Sequence, residues 1–473
     1  MIDKDRRCLT FVCGGCGAQI GGPGLAPFSC PAAREGDGVD HVLARELDTA
    51  CTTFEDDGDE NPFVAFRALF AAHELASAHG ITDAEFVALT NTLDTHVAKV
   101  DGEGFRRTPL FRSEALEREL GFAGPLFTGA LWVKDETENV SGSHKARHLM
   151  GIMLYLQVAE RVGLMDPNAR APLAIASCGN AALAAAVVAR AAGWPLSVFV
   201  PPEAPRSTLE RLDALGATLH VSRRSGERPP GDPCYLDFKA ALAQGALPFC
   251  CQGPDNGLTL EGGQTLGYEL VSQLMAKEVV PHRLFIQVGG GALASATIRA
   301  MAEAHAWGLL ARMPRVHAVQ TKGAFPLTRA YKGVVARLLR RQSTPQKSVD
   351  TRALWIRDEL SHDTIDAALH HAAAHRAQYM EPWPGTPQSI ASGILDDETY
   401  DWLKIIEGML KSGGYPLVVD EETLIKAHTA AQKATEIHVC PTGTAGLAGL
   451  MALGRDGVLA GDTSVVLFTG HLR

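Results

Sequence analysis

Glu138-Asn139-Val140-Ser141-Gly142-Ser143-His144-Lys145-Ala146-Arg147 is a polar glycine turn that delivers a lysine to the mouth of a helix. Leu149, Ile152, Met153 and Leu156 follow at helical spacing, so Lys145 sits in the first turn of an apolar helix. There the free backbone N–H groups and the helix dipole favour an anion and disfavour a second cation. A lysine so placed can have a depressed pKa and attack a carbonyl. A solvated surface lysine is written the same way, so Lys145 gains meaning only from the rest of the chain.

Two further turns share its strand-to-helix setting. Ser177-Cys178-Gly179-Asn180-Ala181 lies between an apolar run at 172–176 and an alanine-rich helix at 180–192. Its hydroxyl and amides can receive a carboxylate at a helix N-terminus, while Asn180 also has the chemistry of a purely structural N-cap. Gln287-Val288-Gly289-Gly290-Gly291-Ala292-Leu293 joins a strand at 284–288 to a helix at 293–303. Residues without side chains there let amides close around a phosphate. Neither G-x-G-x-x-G nor the phosphate-loop lysine pattern is met, which disfavours nucleotide binding.

Around these turns, short apolar runs at 196–200, 218–221, 316–320 and 465–468 alternate with helical patterns such as 207–215. That alternation implies parallel sheets covered by helices, with ligands at the carboxyl ends of strands. Upstream, residues 62 to 99 read as a helical pair, with Gly80 as a stop and Thr82 as an N-cap. Residues 1–60 read as a loop-rich cap ending in the acidic run Glu-Asp-Asp-Gly-Asp-Glu at 55–60. With 473 residues, 46% of them hydrophobic, the chain can bury a large core and is not mainly disordered. A net charge of −10 without a basic block speaks against nucleic acid as a partner. Arg190 and Pro195 interrupt the most apolar stretch, 181–200, so no membrane span is expected. The first residues lack an apolar leader core, which makes the cytoplasm the default location. Ten cysteines in so long a chain do not form a disulfide scaffold.

Taken in order, the three turns resemble the fold-type II pyridoxal-phosphate enzymes, and more closely their threonine synthase and threonine/serine dehydratase branch. Further segments extend the likeness from about residue 104 to the end. Arg107-Thr108-Pro109-Leu110 looks like the family's opening turn, and the segment from Leu260-Glu261-Gly262-Gly263 to Glu269-Leu270 like its E-G-x-K-T-x-x-x-E helix. Ser389-Ile390-Ala391-Ser392-Gly393-Ile394 matches a substrate-side segment, Cys440-Pro441-Thr442-Gly443-Thr444-Ala445-Gly446 a second turn, and Leu467-Phe468-Thr469-Gly470-His471-Leu472 the threonine synthase ending.

The resemblance implies two three-layer α/β/α domains with mostly parallel sheets and a helical N-terminal extension. The small domain is expected at 146–254, the large one at 105–145 and 255–473, and the extension at 1–104. It further implies that Lys145 forms a Schiff base with pyridoxal phosphate and that Asn180 meets the cofactor's 3′-oxygen. Gly289, Gly290, Gly291, Ala292 and Leu293 would hold the phosphate, and Thr469 would face the pyridine nitrogen. Ser141, Ser177, Cys178 and Gly179 would meet a small amino-acid substrate. A homodimer is the family's usual assembly.

The reaction implied is α,β-elimination on a hydroxy- or otherwise β-substituted amino acid, an ammonia-lyase activity. Threonine synthase-like β,γ-replacement or β-replacement is the alternative within enzymes, and a non-catalytic amino-acid sensor the alternative outside them. The retained Lys145 argues against a sensor, which needs no proton-abstracting base. Cys440 in place of a family glutamate and Ala292 in place of a glycine weigh against threonine synthase activity itself. His144 before the lysine resembles the tryptophan synthase β-subunit and is expected either on the phosphate or simply packed.

Phe11-Val12-Cys13-Gly14-Gly15-Cys16-Gly17 looks like the zinc knuckle that begins many threonine synthases. A closed zinc site needs four ligands; Cys30 offers a third beside Cys13 and Cys16, and Cys8 or His41 a fourth. The segment 322–387 is longer than the family core, and its His371 and His375 read as a solvated face rather than a metal site.

Overall fold

The computed structural model describes residues 8–121, 129–224, 232–340, 348–459 and 461–473, apart from 23, 26, 27 and 35. The first seven residues, where a leader was looked for, lie outside these. Among the described residues no helix is long and apolar enough to cross a membrane.

The chain opens differently from the loop-rich cap expected. β1 (Leu9–Cys13), β2 (Gln19–Ile20) and β3 (Leu43–Leu47) form an antiparallel sheet of order β2-β1-β3. Burial alternates along β1, with Leu9, Phe11 and Cys13 inward. That two-residue period is a strand signal that the surrounding glycines and cysteines obscure. The helical pair is present: Asp83–Asp101 starts at a capping box in which Thr82 and Glu85 satisfy each other's backbone amides, after Gly80 turns the chain at φ 81°.

β4 (Leu110–Arg112) and β5 (Leu131–Asp135) then lead into a sheet completed much later in the chain. Between them and that completion lie β6 (Leu173–Ala176), β7 (Leu196–Val200), β8 (Thr218–Val221) and β9 (Leu247–Pro248), an all-parallel sheet of order β8-β7-β6-β9. β10 (Arg283–Gln287), β11 (Arg315–Thr321), β12 (Leu417–Val419) and β13 (Ser464–Phe468) join the earlier pair in a six-stranded sheet, β12-β11-β10-β13-β5-β4. Only the edge strand β4 runs antiparallel to its neighbour. Fully buried strands such as β10 and β13 carry apolar residues on both faces, as a helix-covered parallel sheet requires.

The six-stranded sheet has its own core, and helices Pro326–Leu339, Val349–Glu359 and His362–Ala374 of the long 322–387 segment pack into it through Leu327, Ile356 and Leu369. His371 and His375 stack with ring centroids 4.1 Å apart. The N-terminal strands and helices share a second core with the four-stranded sheet. Arg45 of β3 anchors this union: it is buried, and its Nη2 donates to Gln264 Oε1 and Tyr268 Oη, each at 2.8 Å.

Candidate active site

Every motif turn leaves the carboxyl end of a parallel strand: the Lys145 turn follows β5, Ser177 follows β6, the glycine loop follows β10, and Thr469 follows β13. That is where open α/β sheets place ligands. A β-bridge between Ser143 and Gly470 lays the lysine turn against the C-terminal turn. His144 reinforces it, its backbone N–H and ring Nδ1 both donating to the Thr469 carbonyl, at 3.3 and 3.0 Å. Burial and the neighbouring Lys145 cation push the His144 pKa down to about 3, so the ring is neutral with its proton on Nδ1. The Nδ1–H bond to Thr469 fixes the ring orientation of His144.

Lys145 is the first residue of the helix Lys145–Arg161 and half-buried. The turn before it is strained: Ser141 is a non-glycine residue at φ 58°, followed by Gly142 at φ 62°. Asp101 holds it there, its Oδ2 accepting the Ser141 N–H at 2.6 Å. From below, Arg147 is clamped in the core by Glu136 at 2.7 Å and Glu269 at 2.9 Å, and Lys134 adds a 2.5 Å contact to Glu269. Glu269 was visible as part of a family-like helix; that it would pin the lysine helix was not, because its partners are far away in sequence.

Asn180 opens the helix Asn180–Ala191 as its first residue, and Gly179 takes the cap position without a side-chain bond, so Asn180 is not the N-cap its chemistry suggested. Its amide faces the C-terminal turn instead: a Cβ on Gly470 would come 2.8 Å from Asn180 Nδ2, and Arg473 donates to Asn180 Oδ1. Ser177 Oγ accepts the Gly179 N–H at 3.3 Å, and Ser177, Cys178 and Gly179 all keep some exposure. Thr469 is buried, its Oγ1 accepting from Gln287 Nε2 at 2.5 Å. The same Nε2 reaches the carbonyls of Gly443 and Leu467 at 3.1 Å, making Gln287 the tie between three turns. The place of Gln287 at the carboxyl end of its strand is the signal in the sequence that its side chain can reach neighbouring turns.

The glycine loop has no space for side chains. A Cβ on Gly289 would lie 2.2 Å from Asp396 Oδ2, one on Gly290 2.9 Å from the Tyr400 ring. Gly291, at φ 101°, caps the helix Ala292–Ala306, in which Ala292 and Leu293 are buried, so only their backbone faces a ligand at the loop. Asp396 stands over this loop, its Oδ1 3.6 Å from where a Cβ on Gly290 would lie, and burial raises its pKa. No motif pointed to Asp396.

At the N-terminus, Cys13, Cys16, Cys30 and His41 converge, their ligand atoms all within 4.8 Å of one another. Cys8 is bonded to Cys51 instead, which leaves His41 as the fourth member.

Pyridoxal phosphate asks of its host an amine, an anion cradle and uncommitted donors. Lys145 supplies the first. The glycine loop at the N-terminus of helix Ala292–Ala306 is a cradle that a Cβ on Gly289 or Gly290 would fill, a place that favours an anion. The Ser143 hydroxyl, fully buried two residues before Lys145, has no partner. The residues present fit the group.

Known proteins agree. Threonine synthase of Methanocaldococcus jannaschii is 24% identical over 365 residues, 77% of this chain and 74% of that one. Human L-serine dehydratase/L-threonine deaminase is 29% identical over 203 residues, 43% of this chain and 54% of that one. Diaminopropionate ammonia lyase from Escherichia coli shares the fold at a TM-score of 0.56 with 16% identity, covering 88% of this chain and 92% of that one. A family model for pyridoxal-phosphate dependent enzymes matches residues 102–470, the span that contains the lysine turn, the glycine loop and Thr469. On that match the chain belongs to the pyridoxal-phosphate dependent enzymes.

Proposed function

We propose that the chain catalyses α,β-elimination on a small hydroxy- or β-substituted amino acid, releasing a 2-oxo acid and ammonia. The observation that carries this is the Ser143–Gly470 bridge, because it sets the lysine turn against the C-terminal turn that holds Thr469 and adjoins Asn180. Pyridoxal phosphate, when bound, supplies an aldehyde for amine exchange and a ring that spreads the charge released at the substrate Cα. The residues do the rest. Gly289 and Gly290 offer amides to the phosphate, and Ser143 a free hydroxyl. The exposed Ser177–Gly179 turn, at a helix N-terminus, takes the substrate carboxylate. Lys145 Nζ would take the α-proton as the base. Thr469 would offer the ring nitrogen a hydroxyl that carries no charge, which would leave the choice of bond broken to the surrounding residues. Loss of the β-substituent followed by hydrolysis completes the elimination.

A panel of β-hydroxy amino acids and O-phosphohomoserine, followed for 2-oxo acid, ammonia and phosphate, tests this. Elimination is expected from the former; phosphate release with threonine formation would replace it with β,γ-replacement, and cofactor binding without turnover of any member would favour a sensor.

The cysteine cluster supports a second element of the proposal, a structural zinc. Cys16 Sγ and Cys30 Sγ are 3.6 Å apart and Cys13 Sγ and His41 Nδ1 3.5 Å, close to the roughly 3.5–3.8 Å that tetrahedral ligands at zinc bond lengths would span. Asp37 Oδ2 accepts His41 Nε2 at 2.9 Å, the outer carboxylate that fixes a ligating imidazole. One zinc per chain, lost in Cys16→Ser, is expected; equal metal content in both proteins would remove it.

A further inference from the structure

A second cavity of about 340 Å³ lies where the N-terminal sheet meets the helices Ala292–Ala306, His362–Ala374 and Trp402–Ser412. Lys145, Asn180, Thr469 and the glycine loop take no part in its lining. Its lysines are committed: Lys404 and Lys411 both pair with Glu407 at 2.9 Å, and Lys411 also with Asp366 at 2.8 Å.

Four other polar groups on its wall keep an unpartnered buried atom; one of them, Asp40, has its other carboxylate oxygen on Arg376 Nε at 2.9 Å and leaves Oδ2 without a hydrogen bond. Ser295 is 1% exposed, and its hydroxyl has no hydrogen-bond partner. Asp401 is 3% exposed; its Oδ1 is unpartnered and its Oδ2 accepts only a long 3.4 Å bond from the Gly253 N–H. Arg299 Nε is buried without a partner, and the guanidinium stands near enough to Asp401 to feel its charge without an ion pair among the described residues. Each such group costs about 1–3 kcal/mol while it stays unsatisfied.

A cation, two acids and a hydroxyl around one small space select their occupant. A simple anion answers Arg299 but is repelled by Asp401 and Asp40, a simple cation answers the acids but is repelled by Arg299, and an apolar guest strands them all. We propose that this cavity binds a free α-amino acid as its zwitterion, the carboxylate on Arg299 and the ammonium on Asp401 and Ser295. Val42, Leu369 and Leu403 give an apolar wall for a short aliphatic side chain, and the volume lies at the small end of ligand sites. The site borders the glycine loop from behind: the Asp401 N–H donates to the Gly290 carbonyl at 3.0 Å, and a Cβ on Gly291 would meet Asp401 Cβ at 3.4 Å. This site stands independently of the reaction proposed above.

The test is calorimetric titration of the cofactor-saturated full chain with each of the twenty proteinogenic amino acids in turn, the cofactor's visible absorption being recorded alongside. At least one amino acid is expected to bind once per chain without moving the absorption band. Arg299→Gln should weaken that binding by about tenfold or more, the loss expected for a charged hydrogen bond, with basal turnover unchanged. Ser295→Ala, which removes only the unpartnered hydroxyl, should weaken it by a smaller factor and repeats the test if Arg299→Gln fails to fold. Binding only with a change in the band, no binding at all, or an affinity that neither substitution alters would overturn the proposal.

Discussion

Asp396 shows how much of the site depends on a single side chain. Its carboxyl stands against the glycine loop, Oδ2 2.2 Å from where a Cβ on Gly289 would lie, beside the turn that the family resemblance reserves for a phosphate, and burial raises its pKa. Two anions competing for one amide cradle weaken each other's hold. Asp396→Asn keeps the shape and removes the charge. Titration of cofactor-depleted protein with pyridoxal phosphate is expected to give an affinity about tenfold higher for the variant; unchanged or weaker binding would mean that the carboxyl cooperates with the phosphate. Nothing in the sequence marked this residue, because Leu395-Asp396-Asp397 carries no motif and its place depends on the long segment between β11 and β12 meeting the loop after β10. Lys145, by contrast, was legible because a polar glycine turn before an apolar helix is a local pattern.

Elements were read well wherever period and punctuation were local. The strands at 196–200 and 218–221 match β7 and β8, and Thr82 caps its helix as expected. β1 and β3 were missed, since each is five residues long and is specified by pairing with the other thirty residues away. The approach of helix Leu258–Ala276 to helix Lys145–Arg161 was half legible: the Gly262-Gly263 pair was noticed, its contact was not. A Cβ on Gly262 would lie 2.3 Å from the Arg147 carbonyl, and one on Gly151 2.6 Å from Gly262 Cα. These neighbours are backbone and cannot step aside. Gly262→Ala is therefore expected to destabilise the protein by about 1–3 kcal/mol in urea unfolding and to shift the lysine helix. An alanine tolerated without loss would show that the two helices can separate at no cost.

Across the whole molecule, burial of imidazoles couples the fold to pH. His144, His148 and His317 are buried, and desolvation pushes their pKa values down, to about 3 for His144 and well below the ordinary value for the others. Each is neutral in the fold and gains a proton near pH 6.5 once the chain unfolds. Its contribution is therefore complete above about pH 6.5 and is lost as pH falls toward the folded pKa, at up to about 1.4 kcal/mol per pH unit. His317 stacks on Phe285 at 5.0 Å, donates Nδ1–H to the Tyr415 carbonyl and accepts from Arg283, remote from the lysine turn. Urea unfolding of His317→Gln between pH 5 and 6.5 (roughly the range in which an unfolded imidazole titrates) should show a stability less sensitive to acid than the wild type by about one proton's slope. Identical slopes would mean that His317 titrates normally in the fold.

At the same scale, the central claim is that two sheets, a glycine loop and the C-terminal turn converge so that Lys145 alone holds the cofactor. Borohydride reduction of the purified holoenzyme, followed by peptide mass analysis, tests it directly. The expected result is one pyridoxyl group per chain on the peptide that contains Lys145, and none in Lys145→Ala. A label on another lysine, or no label on a protein that binds the cofactor, would contradict it.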